Sequence, residues 1–262
     1  MMAQLINRRQ TKAEARLLLR QATVSPMHMV ALLFSLQLAL NLLDAFGNTL
    51  ETAPLGLFIT ILTSLMGVVL SAGFVIYCMT IRRNEHAEYL TLFDGFSLVG
   101  KLISLYIMEM FFVFLWSLLF LFPGIAALYR YRFAMYNLLE NPELSPLQAL
   151  ELSKRQTMGY KMQCFQLDLS YAPWLLLAFI PPYLVNISVT MTAFSMEIPS
   201  FFQMLYNMDT LLLTLILSAW NLLLALFYYA NMICADLEYY EIAKTTSGYD
   251  AFRNPFEHMT QM

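Results

Sequence analysis

The sequence predicts an all-α, polytopic transmembrane helical bundle of about six spans, with amphipathic interfacial helices beside them. Three observations predict it. Hydrophobic residues make up 59% of the 262 residues and charged residues only 13%, against about 45–50% and about 25% in an ordinary soluble domain. The mean hydropathy of +0.59 comes from apolar stretches that recur along the whole chain, and a soluble fold would have to expose them as large patches. Lysine and arginine are segregated into a few short segments, as the cytoplasmic loops of a membrane protein require.

The same composition narrows function. No basic tract with interleaved aromatics points to nucleic acid. The three cysteines, Cys78, Cys164 and Cys234, lie in apolar stretches, where a free thiol behaves as a small buried hydrophobe. The three histidines, His28, His86 and His258, are scattered and form no ligand-spaced pair. Neither a metal nor a cofactor is expected. The N-terminal stretch is not expected to act as a cleavable signal peptide, because about twenty polar residues come first and no small-residue cleavage site follows the apolar run.

Residues 1–25 are read as a cytoplasmic amphipathic helical segment. Thr11 and Glu14 have capping-box spacing. Arg16 and Arg20 face the headgroups, with Leu17 and Leu18 turned inward. Residues 26–241 form one membrane-embedded domain. A span needs about 20 apolar residues, and the candidates are 26–46, 54–81, 101–122, 125–139, 162–184 and 210–235. Ser25 caps the first, with Pro26 at its first helical position. Gly67 and Ser71 offer a close-approach face in the second. Pro123 and Gly124 make the turn between the third and fourth, and Asn141–Pro142 ends the fourth. Ser145 and Gln148 have capping-box spacing for an interfacial helix with Leu147, Leu150 and Met158 roughly on one face. Pro173 kinks the fifth span, 186–208 is an outer loop, and Asp209 caps the sixth. Residues 242–262 form a cytoplasmic tail.

Charge decides how often 101–139 crosses. With two crossings there, 13 of the 15 basic residues fall on the cytoplasmic side and the outer segments 47–53, 123–124 and 186–208 hold none. With one crossing, Lys154, Arg155 and Lys161 would lie outside. Six crossings with both termini cytoplasmic is therefore the expected topology, in the cytoplasmic membrane.

Ionisable groups inside spans are costly and mark functional candidates. Arg130 and Arg132 lie about 9–12 Å inward from Gly124 at about 1.5 Å per residue, and Glu109 and Asp168 lie similarly deep from Lys101 and Lys161. Arg132 or Arg130 is expected to pair with Glu109 or Asp168 near the midplane, as a substrate or ion site or as an internal ion pair that fixes packing. Gln37, Asn41 and Asp44 share one face of the first span, and Asn221 and Asn231 share a stripe of the sixth with Tyr228. They line a cavity or hydrogen-bond between helices.

Several pieces between Leu92 and Phe179 carry a resemblance. They are Leu92-Phe93-Asp94-Gly95-Phe96, Trp116-Ser117-Leu118-Leu119, Pro123-Gly124-Ile125 and Tyr129-Arg130-Tyr131. Asn141-Pro142-Glu143-Leu144-Ser145 and Ala149-Leu150-Glu151-Leu152-Ser153 follow, then Gly159-Tyr160-Lys161 and Leu167-Asp168-Leu169-Ser170 with Trp174. Their order and spacing resemble the bacterial integral membrane protein family named domain of unknown function 975. Arg132 and Phe133 depart from that pattern. The resemblance implies a helical bundle in the cytoplasmic membrane and implies no activity. A wider similarity, in the Pro-x-Leu-Ser, Ala-Leu and Gly-x-Lys elements, is to membrane domains attached to glycerophosphodiester phosphodiesterases.

No nucleophile elbow, zinc-protease helix, phosphate loop or dinucleotide fingerprint is present, so an enzyme is not expected. Two main readings stay open, with a third behind them, an intramembrane lipid-modifying enzyme, for which only the neighbourhood of Glu85 and His86 offers candidate groups. One is a non-enzymatic accessory or scaffold bundle of the cell envelope. The other is a small-molecule or lipid transporter using the buried charged cluster. Expected partners are membrane lipids and another membrane protein or a second copy of the chain.

Overall fold

The computed structural model describes residues 5–50, 53–193, 199–206 and 208–246, and among them every regular element is helical. The helices are α1 (Arg8–Arg20), α2 (Pro26–Thr49), α3 (Ala53–Arg82), α4 (Val99–Leu119), α5 (Leu121–Tyr131), α6 (Ala134–Glu140), α7 (Pro146–Gln156), α8 (Lys161–Leu169), α9 (Ala172–Ala193), α10 (Ser200–Tyr206) and α11 (Thr210–Thr246). A 3₁₀ segment, Tyr89–Leu98, leads into α4.

Among these, Pro26–Thr49, Pro54–Arg82, Tyr89–Leu119 and Thr210–Thr246 are each long and apolar enough to cross a membrane. Lys161–Leu169 and Ala172–Ser188 make a fifth if they form one span, bent by 66°. The segment expected as a span at 125–139 is two short helices, α5 and α6, interrupted at Arg132 and Phe133. The bend between α8 and α9 falls at Ser170 and Tyr171, and Pro173 occupies the first turn of α9 rather than the interior of a helix. The loop expected at 186–208 is largely helical where described, as the end of α9 and as α10, and its residues 194–198 and 207 lie outside the described residues. Of the tail expected at 242–262, residues 242–246 continue α11 and 247–262 lie outside the described residues.

Local chemistry sets several boundaries. Asp209 Oδ1 accepts from the backbone N–H of Leu211 (2.9 Å) and Leu212 (3.1 Å) and so starts α11, which satisfies donors that the first helical turn leaves open. Ser145 and Gln148 form a reciprocal capping box on α7, at 3.3 and 2.9 Å. The N-cap of α1 is Asn7, whose side chain accepts from the Arg9 and Gln10 N–H groups. Thr11 is therefore already inside the helix, donating to the Asn7 carbonyl at 3.2 Å, and Glu14 takes the Gln10 side chain instead of closing a box. Thr11 and Ala15 form the buried face of α1 while Leu17 is exposed.

The turn between α4 and α5 is at Phe120, whose backbone is extended, not at Pro123–Gly124. Both of those residues sit in the first turn of α5. Gly124 faces Ser117, and a Cβ there would overlap the Ser117 side chain, so the glycine serves close helix packing. The two helices run back along each other: Phe112 meets Tyr131 with ring centroids 6.0 Å apart. At the base of α4, Lys101 Nζ donates to the carbonyls of Pro142 and, at 3.4 Å, Leu144. The chain thus returns at 142–144 to the end of the bundle from which α4 started.

The 3₁₀ segment lies tightly across α3, and glycine makes this possible. A Cβ on Gly73 would overlap the Leu92 carbonyl, and one on Gly95 would come within 2.5 Å of the Val69 carbonyl oxygen. Gly67, expected as the close-approach point, has nothing within 4 Å of a built Cβ; the crossing falls further along the same helix, at Gly73. Gly159 takes a positive φ of 84° in the turn from α7 into α8, a conformation that glycine adopts without strain.

Packing is uneven along the bundle. The large side chains that are fully buried, among them Met29, Leu33, Phe74, Tyr77, Leu92, Leu102, Phe133, Leu150, Leu167, Tyr239 and Tyr240, come from the start of α2, the end of α3, the 3₁₀ segment and the start of α4, the α6–α8 region and the second half of α11. At the opposite end Phe58, Phe114, Leu118, Phe122 and Phe179 are exposed, which suits a lipid environment and not water. The α7 helix is part of the packed end: Ala149, Leu150, Ser153 and Gln156 are buried, while Leu147 and Met158 point outward. The cysteines are buried and unbridged.

Gly73→Ala is expected to cost about 1–3 kcal/mol through overpacking against the Leu92 backbone, whereas Gly67→Ala should be close to neutral. Thermal unfolding midpoints in mild detergent compare the two; equal midpoints would contradict the close crossing.

Candidate functional site

The break between α5 and α6 leaves backbone groups without helical partners, and α7 supplies them. Ser153 Oγ donates to the Arg130 carbonyl (2.9 Å) and accepts from the Phe133 N–H (3.0 Å), and Thr157 Oγ1 donates to the same carbonyl at 3.2 Å. Ser153 and Thr157 are fully buried, where unpaired backbone groups would be costly. The break is thus built in, and it turns Arg132 toward α8 and α11.

Arg132 is the centre of a charged cluster. Its Nη1 and Nη2 donate to the two carboxylate oxygens of Asp168 at 2.6 and 2.7 Å, and its Nε donates to Asp236 Oδ1 at 2.7 Å. Tyr129 Oη donates to Asp168 Oδ2 (2.8 Å) and Tyr136 Oη to Asp236 Oδ2 (2.6 Å). Side-chain exposure is 18% for Arg132, 28% for Asp168 and 8% for Asp236. One guanidinium faces two carboxylates, so the cluster carries a net charge of about −1, and the two phenols spread that charge by donating to both acids.

Among the sequence-predicted residues, the structure brings Arg132 and Asp168 together and leaves Arg130 and Glu109 apart from them. Arg130 stacks its guanidinium over Trp116, 4.9 Å from the ring centroid, which is a cation–π contact. Glu109 makes no ion pair or hydrogen bond among the described residues. The cluster lies toward the cationic end of the bundle, not midway along it. Asp236 precedes Leu237, whose carbonyl accepts from Arg82, the last residue of α3, at 3.0 Å. Asp168 lies two residues before Ser170, which Lys12 of α1 reaches at 3.2 Å. Depth counted along straight helices fails here because the chain breaks at 132–133 and bends at 170–171.

Asp236, Tyr129 and Tyr136 escape the sequence reading. The sixth span is expected to end at about 235, one residue short of Asp236 and of the acids that follow it. It continues to Thr246 because those acids have partners inside the fold. Glu238 pairs with Arg82 at 3.1 Å. Lys244 pairs with Glu140 at 2.6 Å and with Glu241 at 3.0 Å. Burial acts to raise the Glu140 pKa, but donation from Lys244 and Tyr240 outweighs it and holds the carboxyl below its usual range. Beside it, Asn137 and Gln156 exchange hydrogen bonds at 2.8 and 2.9 Å. The signal that was present is spacing: Tyr129, Arg132 and Tyr136 recur at three and four residues.

The polar stripe on α2 is divided among neighbours. Gln37 Nε2 reaches Ser71 Oγ at 3.5 Å, Asn41 Nδ2 reaches Ser218 Oγ at 3.3 Å, and Asp44 Oδ1 accepts from Thr60 at 2.5 Å. Together with Thr63, Ser64 and Gly67, the three residues line a cleft of about 260 Å³. Asn231 belongs elsewhere, donating to the Lys12 carbonyl (3.1 Å) and accepting from Tyr171 (2.6 Å). Among the described residues, the Asn221 side chain bonds within its own helix, to the Leu217 carbonyl at 3.0 Å. Among the described residues, no three His, Cys, Asp or Glu side chains are grouped to hold a metal ion.

Fold and cluster together define an all-helical bundle whose apolar helices are compatible with an integral membrane protein. No family model matches the chain, and neither a curated protein nor a solved structure does.

Arg132→Gln is expected to lower stability by about 3 kcal/mol, because it leaves the buried Asp236 and the partly buried Asp168 without their common cation. Asp236→Asn should cost less. Asp168→Asn should cost least, since it keeps a neutral Arg132–Asp236 pair. Thermal unfolding of the three variants in detergent tests the order, and an Asp168 variant as damaged as the Arg132 one would refute it.

Proposed function

We propose that this chain is a six-crossing protein of the cytoplasmic membrane, with both termini cytoplasmic, that serves the cell envelope as a non-enzymatic accessory or scaffold bundle. One observation carries the reading. Every polar atom of Arg132, Asp168 and Asp236 that points into the cluster is engaged by the protein's own side chains, and no buried side-chain nitrogen or oxygen among the described residues lacks a partner. A transport or catalytic site needs groups that exchange a partner for a ligand. A saturated cluster instead fixes one arrangement of helices. Kinship with the family that Leu92–Phe179 resembles is part of the same proposal and rests on the order of the motif pieces.

The topology is supported by the return of α5 and α6 to the base of α4, where Lys101 meets Pro142 and Leu144, and by the distribution of cations. A reporter active only outside the membrane should be silent when fused after residue 158 and active when fused after residue 49. Activity at 158 would overturn the six-crossing arrangement.

The scaffold reading expects a membrane-protein partner, or a second copy of the chain, recovered at stoichiometric level from mild detergent. Substrate-dependent flux in proteoliposomes, abolished by Asp168→Asn in protein that remains folded, would instead establish the transporter.

A further inference from the structure

The α1 helix carries five cations, and the structure divides them into two groups. Arg8 Nη1 donates to the Gln166 carbonyl at 3.1 Å. Lys12 Nζ reaches Ser170 Oγ at 3.2 Å and lies 3.7 Å from the centroid of the Tyr171 ring. These two fasten α1 to the α8–α9 bend. Arg9, Arg16 and Arg20 are exposed, and they make no side-chain hydrogen bond or ion pair among the described residues. The nearby acids are committed elsewhere: Glu14 to Gln10 at 2.8 Å, and Glu238 to Arg82.

Arg16 and Arg20 are four residues apart and therefore share a face of α1. They form one rim of a groove of about 210 Å³ whose other walls include Pro26, Met27, Leu226 and Phe227. Among the described residues that line it, the one other polar side chain, Asn231, is occupied by the Lys12 carbonyl and Tyr171. The groove thus offers two guanidinium groups and an apolar wall. That wall is continuous with the outer surface: Phe227 is 67% exposed and Met27 52%, and Trp174 stacks on Phe227 with ring centroids 5.9 Å apart. Tryptophan and other aromatics of this kind collect at the headgroup level of a bilayer. The cations also crowd one another. Burial lowers the pKa of Lys12, and repulsion from Arg16 and Arg8 lowers it further, which is the field that a bound anion would relieve.

We propose that this groove holds one anionic phospholipid, with its phosphate on Arg16 and Arg20 and the start of an acyl chain along Met27, Leu226 and Phe227. Guanidinium groups match phosphate oxygens in a bidentate fork, and basic pockets between helices on the cytoplasmic side take anionic headgroups. A zwitterionic headgroup would bring its own cation against the same rim. The groove is shared by α1, the start of α2 and α11, so the lipid would brace the N-terminal helix against the bundle. The inference requires a membrane setting but holds for a scaffold and for a transporter alike.

The test uses the full chain in mild detergent, titrated with phosphatidylglycerol or phosphatidylcholine and followed by native mass spectrometry and thermal unfolding. One phosphatidylglycerol should be retained per chain and should raise the melting midpoint, and phosphatidylcholine should do neither. Arg16→Gln combined with Arg20→Gln should weaken binding roughly thirtyfold, as two surface cations would. Arg9→Gln, which lies off the groove, should leave it unchanged. Equal binding of the two lipids by the wild-type chain would overturn the proposal without recourse to any variant. So would an equal loss in Arg9→Gln, which would mean diffuse surface charge, or equal stabilisation by inorganic phosphate, which would mean an anion site without a chain.

Discussion

Arg132 holds together three segments that come from distant parts of the chain. It sits where α5 gives way to α6, and it grips Asp168 in α8 and Asp236 in α11. A guanidinium placed among apolar helices has few ways to exist: it must reach an interface or be met by acids. Here the acids come from two other helices, so the position of one side chain fixes how α5, α6, α8 and α11 converge. The surrounding polar groups are arranged in the same way. Ser153 and Thr157 close the backbone break from α7, and the two tyrosines cap the carboxylates. Removing the arginine would therefore leave several groups unsatisfied at once, whereas removing one acid leaves a pair that remains neutral.

This arrangement explains why the bundle is dense at one end and open at the other. Polar contacts between helices concentrate where the ionic residues are, and the buried aromatics gather around them: Phe133, Tyr136 and Tyr240 pack as a trio with ring centroids 5.5–6.2 Å apart. The opposite end has apolar side chains facing outward. In a bilayer such surface gains nothing from being hidden against another helix, because lipid tails are equally apolar. Close packing there must then come from small residues, and the contact of Gly124 with Ser117 supplies it.

What was legible in the sequence follows the range of the forces involved. Helix starts at Ser145–Gln148 and at Asp209 were readable because capping acts within three residues, and the start at Pro26 because proline suits the first helical position; Ser25 before it makes no side-chain cap hydrogen bond. The meeting of Arg132 with Asp168 was readable because charges inside apolar stretches are few and must find one another. The break at Arg132–Phe133 was not, since no proline or glycine marks it and the groups that stabilise it lie about 20 residues further on. The extension of α11 was hidden for a related reason. Asp236, Glu238 and Glu241 look like the start of a polar tail until Arg132, Arg82 and Lys244 are placed beside them. The Thr11–Glu14 pattern misled because a better cap, Asn7, lies one turn earlier.

The cations of the chain are put to two uses, and the difference bears on function. Arg132, Arg82, Lys244 and Lys12 are absorbed by the fold, Arg8 is tied to the Gln166 carbonyl, and a charge so engaged has less free coordination to offer a ligand. Arg16 and Arg20 face outward beside an apolar wall, and only charges of that second kind are available to something outside the chain. The internal cluster attracts notice first because it is buried, yet burial with full hydrogen bonding is what a structural tie requires. A site that reads its surroundings must instead leave some of its hydrogen-bonding capacity open. By that criterion the face of this molecule open to a ligand is the Arg16–Arg20 side of α1, which Arg8 and Lys12 fasten to the α8–α9 bend.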